Sequence, residues 1–207
     1  MVLGSSRSAE DFHLTPQVDC VVSAGDAILL QRPDYYCISE ESSLDTQPEA
    51  QIEARYYGTK VVIMGQMLPK LEREGKRPML WPFPHDISIW FDHLYAAKVW
   101  HLWKPGTYVD SMSGAFALQF AANHKPSEIH VVGMEGYVGS GDYFISGQKS
   151  AKVGYAVSST RYQYGKLIQR IVDLCPDTDF TFYGDLNYPV DGFNVSKVPC
   201  PRETVTL

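Results

Sequence analysis

Short runs of apolar residues alternate along the chain with longer segments that have a helical pattern. The runs are two to five residues long and have the composition of strands buried on both faces of a sheet. Because such strands alternate with helices, the pattern predicts a parallel α/β sheet. The predicted strands are residues 2–3, 18–22, 35–38, 61–64, 79–81, 129–133 and 180–183.

Two segments have a clear helical pattern. Between Tyr164 and Leu174 apolar residues recur with a period near 3.6 until Pro176, which ends a helix. Residues 113–123 are apolar nearly all round and predict a deeply buried helix. Ser113 is a candidate cap at its start, and Gly114 leaves room for a ligand to approach the N–H groups of the first turn.

The 207 residues suit one domain that spans 1–207. Segment 82–110 contains three of the four tryptophans and has a mixed period, and we interpret it as a helical excursion or lid. A net charge of −6 disfavours nucleic acid as the main partner. With no apolar stretch long enough to span a membrane and no signal peptide at the start, we expect a cytoplasmic protein without a transmembrane segment.

We expect no metal-binding or disulfide role for the four cysteines and no modification at the one N-glycosylation sequon. Cys20, Cys37, Cys175 and Cys200 lie at spacings that suit neither a zinc site nor a disulfide framework. We expect reduced thiols, with Cys20 and Cys37 in the core of strands. The sequence Asn194-Val195-Ser196 matches an N-glycosylation sequon, which we interpret as a chance match because no secretory signal accompanies it.

Polar turns follow several predicted strands. In a doubly wound fold the carboxyl edge of the sheet is where backbone N–H groups meet a phosphate or nucleotide. Candidate contacts to a nucleotide are Gly4, Ser5, Ser6 and Ser8 after the first strand, and Gly25 and Asp26 after the second. Residues 185–189, after the last predicted strand, are a further candidate. Each of these segments also fits an ordinary turn or loop.

The loop after the predicted strand 129–133 is the most informative segment. Glu135, Tyr137 and Tyr143 lie in it, after Gly133 at the end of the strand, and the loop is polar and rich in glycine. Such a loop is poor core material, and at the carboxyl end of a buried strand it is placed to contact a ligand. The alternative is that the tyrosines simply cover the edge of the sheet.

These motifs resemble those of the bacterial lipooligosaccharide sialyltransferases, which use CMP-sialic acid. The opening V-L-G-S-S-R-S is similar to the family's V-x-x-G-N-G-P-S. Ser113-Gly114 is similar to its S-G at a helix start. The run from Gly133 to Tyr137, with Tyr143 six residues later, is similar to its G-I-D-x-Y and second tyrosine.

The resemblance implies a Rossmann-like, mostly parallel sheet with helices on both faces. It also implies a metal-independent enzyme without a cofactor, which transfers a sugar from a CMP-sugar or another nucleotide sugar to a hydroxyl-bearing acceptor. Segment 82–110 would then be a lid or an insertion on the acceptor side, and association into a homo-oligomer is a further expectation.

The resemblance also implies roles for particular residues. Tyr137 and Tyr143 would donate hydrogen bonds to the departing phosphate, on which negative charge builds as the glycosidic bond breaks. The nucleotide would be held by Ser113 and Gly114 together with Gly4, Ser5 and Ser6. Glu135 stands where the family has an aspartate near the donor sugar or ribose.

The chain departs from the family at the general base. The family has a histidine ahead of its last long helix, whereas residues 155–160 contain none. His85, between Pro84 and Asp86, is our candidate replacement, and His93 and His101 are alternatives. His130 lies in the middle of a predicted strand, where a structural role is expected.

Two other functions stay open. The chain is also similar to hydroxymethylpterin pyrophosphokinases, which transfer diphosphate from ATP and need Mg²⁺, for which Glu40, Glu135 and Asp142 are available. Alternatively, the protein is a catalytically inactive nucleotide-binding or assembly protein, an interpretation that the missing histidine supports.

Overall fold

The computed structural model describes residues 1–6, 9, 17–39, 53–54, 58–64, 87–89, 113–135 and 157–199, with only the backbone of residues 26, 64, 87–89 and 157–163. In this part of the chain, eight strands form one sheet. They are β1 (Val2–Leu3), β2 (Val22–Ala24), β3 (Tyr35–Ile38), β4 (Lys60–Met64), β5 (Ile87–Ile89), β6 (Glu128–Val132), β7 (Asp179–Tyr183) and β8 (Val195–Val198).

The sheet is wound in two directions from β1. Its order is β5-β4-β3-β2-β1-β6-β7-β8, and every neighbouring pair is parallel. The chain first adds strands outward from β1 to β5, then returns to the other side of β1 and continues outward from β6 to β8. The predicted parallel α/β fold is confirmed, and the order is consistent with a Rossmann-like sheet.

Two helices pack on one face of the sheet. Helix α1 (Ser113–Asn123) contacts β1, β2, β3 and helix α2 (Val157–Leu174). The cluster that they bury includes Val2, Val22, Val131 and Phe182 from the strands. Because the sheet covers one side of α1 and α2 lies against another, α1 is apolar nearly all round, as predicted. Its buried side chains run from Ala115 to Phe120 and include Ala122.

The opposite face has a smaller cluster around β1, and the partly buried Tyr183 of β7 packs against it. A 3₁₀-helix, η1 (Gly25–Leu29), follows β2, and its Ala27 packs with Met1, Leu3, Val21 and Val132.

Strand β2 begins later than the sequence predicts. The prediction over 18–22 is wrong except at Val22, and Ser23 and Ala24, which lie beyond the predicted end, belong to the strand. Val21 lies outside the ladder because its N–H donates to the Asp34 carboxylate at 2.7 Å. Cys20 is therefore not in a strand, whereas Cys37 is buried in β3 as expected. Cys20, Cys37 and Cys175 are free thiols, and Cys200 lies outside the described residues.

Two strands lie where the sequence predicts none. Strand β8 is short and largely exposed, so its residues form no apolar run. The interpretation of 185–189 as the segment after the last strand is wrong for that reason. Strand β5 lies within segment 82–110, so residues 87–89 belong to the sheet rather than to a lid. The remainder of that segment, and the predicted strand 79–81, lie outside the described residues.

Asn194 joins the start of β8 to the connection between α2 and β7. Its side-chain amide donates to the carbonyls of Cys175, at 3.1 Å, and Thr178, at 2.8 Å. The residue is buried, and the Thr178 hydroxyl in turn donates to the Pro126 carbonyl at 2.7 Å. Within the described residues, no helix is both long and apolar enough to cross a membrane.

Candidate functional site

The carboxyl ends of β1 and β6 meet where the two directions of the sheet diverge. Gly4 N donates to the Val132 carbonyl at 2.8 Å, and Ser6 N donates to the Gly133 carbonyl at 3.0 Å. A Cβ on Gly4 would lie 2.3 Å from the Gly133 carbonyl oxygen, and a Cβ on Gly133 would lie equally close to that of Gly4. Gly133 also has a φ of +72°. Only glycine fits at this junction, whose floor is backbone.

The turn after β1 reaches across to the end of β2. The Ser5 hydroxyl donates to the Ala24 carbonyl at 3.1 Å. Gly25 follows directly with a φ of +62°, and begins η1. The structure thus brings together Gly4, Ser5, Ser6 and Gly25, which the sequence analysis proposed as nucleotide contacts. Asp26 lies in η1, but its side chain is outside the described part.

Helix α1 begins at the same edge. Ser113 is its first residue, and the Ser113 hydroxyl lies 3.1 Å from that of Ser39, in a hydrogen bond. Ser39 directly follows β3 and is buried. The N-terminus of a helix carries a partial positive charge and unused N–H groups, and both favour an anion. The first turn of α1 therefore offers such a terminus beside two hydroxyl groups.

The space beside Gly114 is filled by protein. A Cβ on Gly114 would lie 3.0 Å from the Tyr164 hydroxyl oxygen and 3.4 Å from Met134 Cε. Met134 also lies against Gly4, because a Cβ there would come within 2.7 Å of its Cγ. The expectation that Gly114 leaves room for a ligand is therefore wrong for the space that a side chain at this position would occupy. Glycine is needed there because Met134 and Tyr164 pack against the helix.

Glu135 lies on the β7 side of β6, away from β1. The residue is 5% exposed. Gly184 follows β7 with a φ of +107°, and a Cβ there would lie 2.6 Å from Glu135 Oε1. The carboxylate is thus covered by the turn after β7 rather than directed towards the turn after β1. This placement differs from that of Gly4, Ser5 and Ser6, with which Glu135 was expected to share a ligand.

Tyr188 belongs to the candidate segment 185–189 and is buried at this edge. Its hydroxyl donates to the Met134 carbonyl at 2.6 Å, and Asn187 N donates to the Glu135 carbonyl at 2.8 Å. Burial, and secondly the charge of Glu135, raises the pKa of the Tyr188 phenol well above its ordinary value. The phenol therefore stays protonated at neutral pH and keeps its role as a donor.

Several predicted site residues lie outside the described part of the chain. These are Ser8, His85, Tyr137 and Tyr143, together with Glu40 and Asp142 of the diphosphate-transfer alternative. Their predicted roles stay predictions. Within the described ranges, no group of three His, Cys, Asp or Glu residues could hold a metal ion.

His130 has the structural role expected of it. Its Nδ1 forms a 3.0 Å hydrogen bond with the Tyr183 hydroxyl, and its Nε2 lies 3.5 Å from Glu128 Oε1. All three residues lie on the sheet face opposite α1 and α2, at β6 and β7. This histidine is therefore not at the junction of β1 and β6.

At the junction the N–H groups of Gly4 and Ser6 and the hydroxyl of Ser5 already donate to carbonyls. The described donors that suit a phosphate ester are therefore those of the first turn of α1 and of the Ser39 and Ser113 pair. Comparisons of the chain with protein-family models, with curated proteins and with solved structures find no match. The inference of function therefore depends on the geometry of the carboxyl edge and on the sequence motifs.

Proposed function

We propose that this chain binds an activated sugar nucleotide and transfers the sugar to a hydroxyl acceptor without a metal ion. The observation that carries this proposal is the place where α1 begins. Its first turn lies at the carboxyl edge, beside the ends of β3 and β6, where the strand order reverses around β1. In open α/β sheets, the crevice at such a reversal is the usual place for a nucleotide.

The chemistry of the crevice supports an anionic ligand. Gly4 and Gly133 bring the backbones of the turns after β1 and β6 into contact, so neither residue places a side chain at the floor of the crevice. Among the described residues at the same edge, the Ser5 hydroxyl already donates to the Ala24 carbonyl, and Ser39 and Ser113 share one hydrogen bond, so one hydrogen of that pair is left to donate to a ligand. Hydroxyl and N–H donors at a helix terminus hold phosphate without a basic side chain.

Tyr137 and Tyr143 complete the proposed reaction. As the bond between sugar and phosphate breaks, negative charge grows on the phosphate oxygens, and the two phenols donate hydrogen bonds to it. His85 accepts the proton of the acceptor hydroxyl. The segment that leads to Tyr137 starts at Gly133, at the crevice, and this position supports the assignment.

The burial of Glu135 favours this reaction over Mg²⁺-dependent diphosphate transfer. Mg²⁺ needs accessible carboxylate oxygens, because the ion must bind the protein carboxylate and the substrate phosphate at the same time. The Glu135 carboxylate is instead covered by Gly184.

The proposal is tested by thermal unfolding with CMP, UDP, GDP and ATP, each with and without Mg²⁺. CMP alone is expected to raise the melting temperature by several degrees, since ligand at 100 times its Kd stabilises a protein by about 2.7 kcal/mol. Tyr143→Phe should reduce that shift. Tyr183→Phe, which removes a phenol hydroxyl from the opposite face of the sheet, is the matched control and should leave it unchanged.

Other outcomes separate the alternatives. A response to ATP that requires Mg²⁺ would favour diphosphate transfer and contradict the proposal. The absence of any response to these nucleotides would leave only an assembly role.

A further inference from the structure

The loop after β7 holds the segment after β6 at two successive positions. Asn187 N donates to the Glu135 carbonyl, and the Tyr188 hydroxyl donates to the Met134 carbonyl. Met134 and Glu135 directly follow Gly133, which forms the floor of the crevice. These two bonds therefore fix the backbone that borders the proposed nucleotide site.

Tyr188 is in turn held in place by α2. Its ring packs edge-on against that of Tyr164, with centroids 5.2 Å apart and an angle of 84° between the planes. A Cβ on Gly165 would lie 2.6 Å from the Cβ of Tyr188, so α2 passes as close to Tyr188 as glycine allows. The phenol thus has a fixed position from which to reach the Met134 carbonyl.

The Met134 side chain carries this restraint to both sides of the crevice. It lies against Gly4 in the turn after β1 and against Gly114 in the first turn of α1. Methionine is flexible and takes its shape from its surroundings. Its position between the two glycines therefore depends on the backbone to which it is attached, and Tyr188 restrains that backbone.

We propose that Tyr188 is a positioning residue for nucleotide binding, which acts by holding the carbonyl of Met134. The identity of the ligand in this inference rests on the proposed function, whereas the hydrogen bond between Tyr188 and Met134 does not depend on it. Without the bond, segment 133–135 opens more often, and the nucleotide must order it on binding. The apparent Kd rises as the inverse of the fraction of molecules in which the segment is already in place.

The test uses hydrogen exchange and nucleotide affinity on the full chain. Three proteins are compared: the wild type, Tyr188→Phe and the control Tyr183→Phe, which loses a phenol hydroxyl bonded to His130 instead. In Tyr188→Phe, peptides that contain Met134 and Glu135 should exchange about fivefold faster, the effect of one lost hydrogen bond. The Kd for CMP, by calorimetry, should rise by up to the same factor, a limit reached when the segment is open in most molecules of the variant. Neither quantity should change in Tyr183→Phe.

The wild type provides a second test that needs no variant. The Asn187 amide donates to Glu135 and should exchange slowly, and bound CMP should slow the amides of Met134 and Glu135 further. An Asn187 amide that exchanges at the rate of an unfolded peptide would overturn the inference.

The remaining outcomes are distinct from one another. Unchanged exchange in Tyr188→Phe overturns the restraint. Faster exchange with an unchanged Kd shows that Tyr188 supports only the fold, which overturns its role in binding. If the wild type binds none of the four nucleotides, the proposed function fails and the binding role falls with it, while the exchange data still decide whether the restraint exists.

Discussion

The strands on the two sides of β1 are buried to different extents. In β2, β3 and the centre of β4 every described side chain except Tyr35 is buried. In β6 and β7 burial largely alternates, and in β8 most side chains are exposed. Parallel sheets are usually covered on both faces. On the β2 side of β1, both faces of this sheet are covered. On the β6 side, the covered face is mainly the one on which α1 and α2 pack.

The pairing of the strands identifies residues in the two halves that lie on the same face of the sheet, so their burial can be compared directly. Ile63 in β4 and Thr181 in β7 lie on the face opposite α1 and α2, as successive pairings across the sheet show. Ile63 is fully buried, whereas Thr181 is partly exposed. Phe182, next to Thr181, points to the face with α1 and α2 and is fully buried. The two halves of the sheet therefore share one covered face and differ in the other.

The largest effect is expected where the two halves join, for Gly133→Ala. The new Cβ would meet the Gly4 carbonyl, and a positive φ adds strain to any other residue. We expect the free energy of unfolding to fall by about 3 kcal/mol or more, measured by urea denaturation.

Gly58→Ala is the control for this substitution. Gly58 has a similar φ, +66°, but its Cβ would have no atom within 4 Å. Gly58→Ala should lower the free energy of unfolding by only about 1 kcal/mol, the effect of the backbone conformation alone. Equal losses for the two variants would contradict the close contact at the junction.

An intermediate effect is expected from alanine substitutions in the two halves. Ile63→Ala should lower the free energy of unfolding by about 2–5 kcal/mol and Phe182→Ala by about 3–5 kcal/mol, since each leaves a cavity. Thr181→Ala should cost less than about 1 kcal/mol, because solvent reaches that face of β7. Denaturant unfolding of the three variants measures these values. A loss for Thr181→Ala as large as that for Ile63→Ala would mean that both halves are covered alike.

The smallest effect on the free energy of unfolding is expected for two buried hydroxyls on the β2 side of the sheet. Ser23 is fully buried, and its Oγ has no hydrogen-bond partner among the described residues. The Thr59 hydroxyl donates to the Pro33 carbonyl at 2.8 Å. Ser23→Ala should leave the free energy of unfolding unchanged or raise it by up to about 1 kcal/mol, whereas Thr59→Val should lower it by about 1 kcal/mol. If Ser23→Ala were the more destabilising of the two, the Ser23 hydroxyl would have a partner after all.

The same difference between the halves explains which elements could be predicted. Residues 35–38 and 61–64 form continuous apolar runs because both faces are covered, and the predictions match β3 exactly in bounds and β4 to one residue. In β7 the phenylalanines on the α2 side were sufficient to indicate a strand. In β8 a serine and a lysine occupy exposed positions, and no pattern remained to detect. The start of β2 was missed because the N–H of Val21 donates to the Asp34 side chain rather than to a neighbouring strand.

The candidate site was predictable in its turns but not in its packing. Glycine and serine after a strand mark a backbone turn, and so Gly4, Ser5 and Gly25 could be found locally. What fills the space beside Gly114 could not, since Met134 and Tyr164 come from distant parts of the chain. The same holds for Tyr188, whose hydroxyl meets a carbonyl 54 residues earlier. A glycine in a sequence shows that space is needed, not whether a ligand or the protein fills it.

The two hydrogen bonds of Asn194 also bear on covalent modification. An asparagine amide has two hydrogens, and here each is committed to a different carbonyl. An N-linked sugar replaces one of those hydrogens and needs open space outside the protein surface. A glycosylated Asn194 could keep at most one of the bonds and would place a carbohydrate where the buried Asn194 side chain meets the connection between α2 and β7. The folded chain and a sugar on this sequon are therefore mutually exclusive.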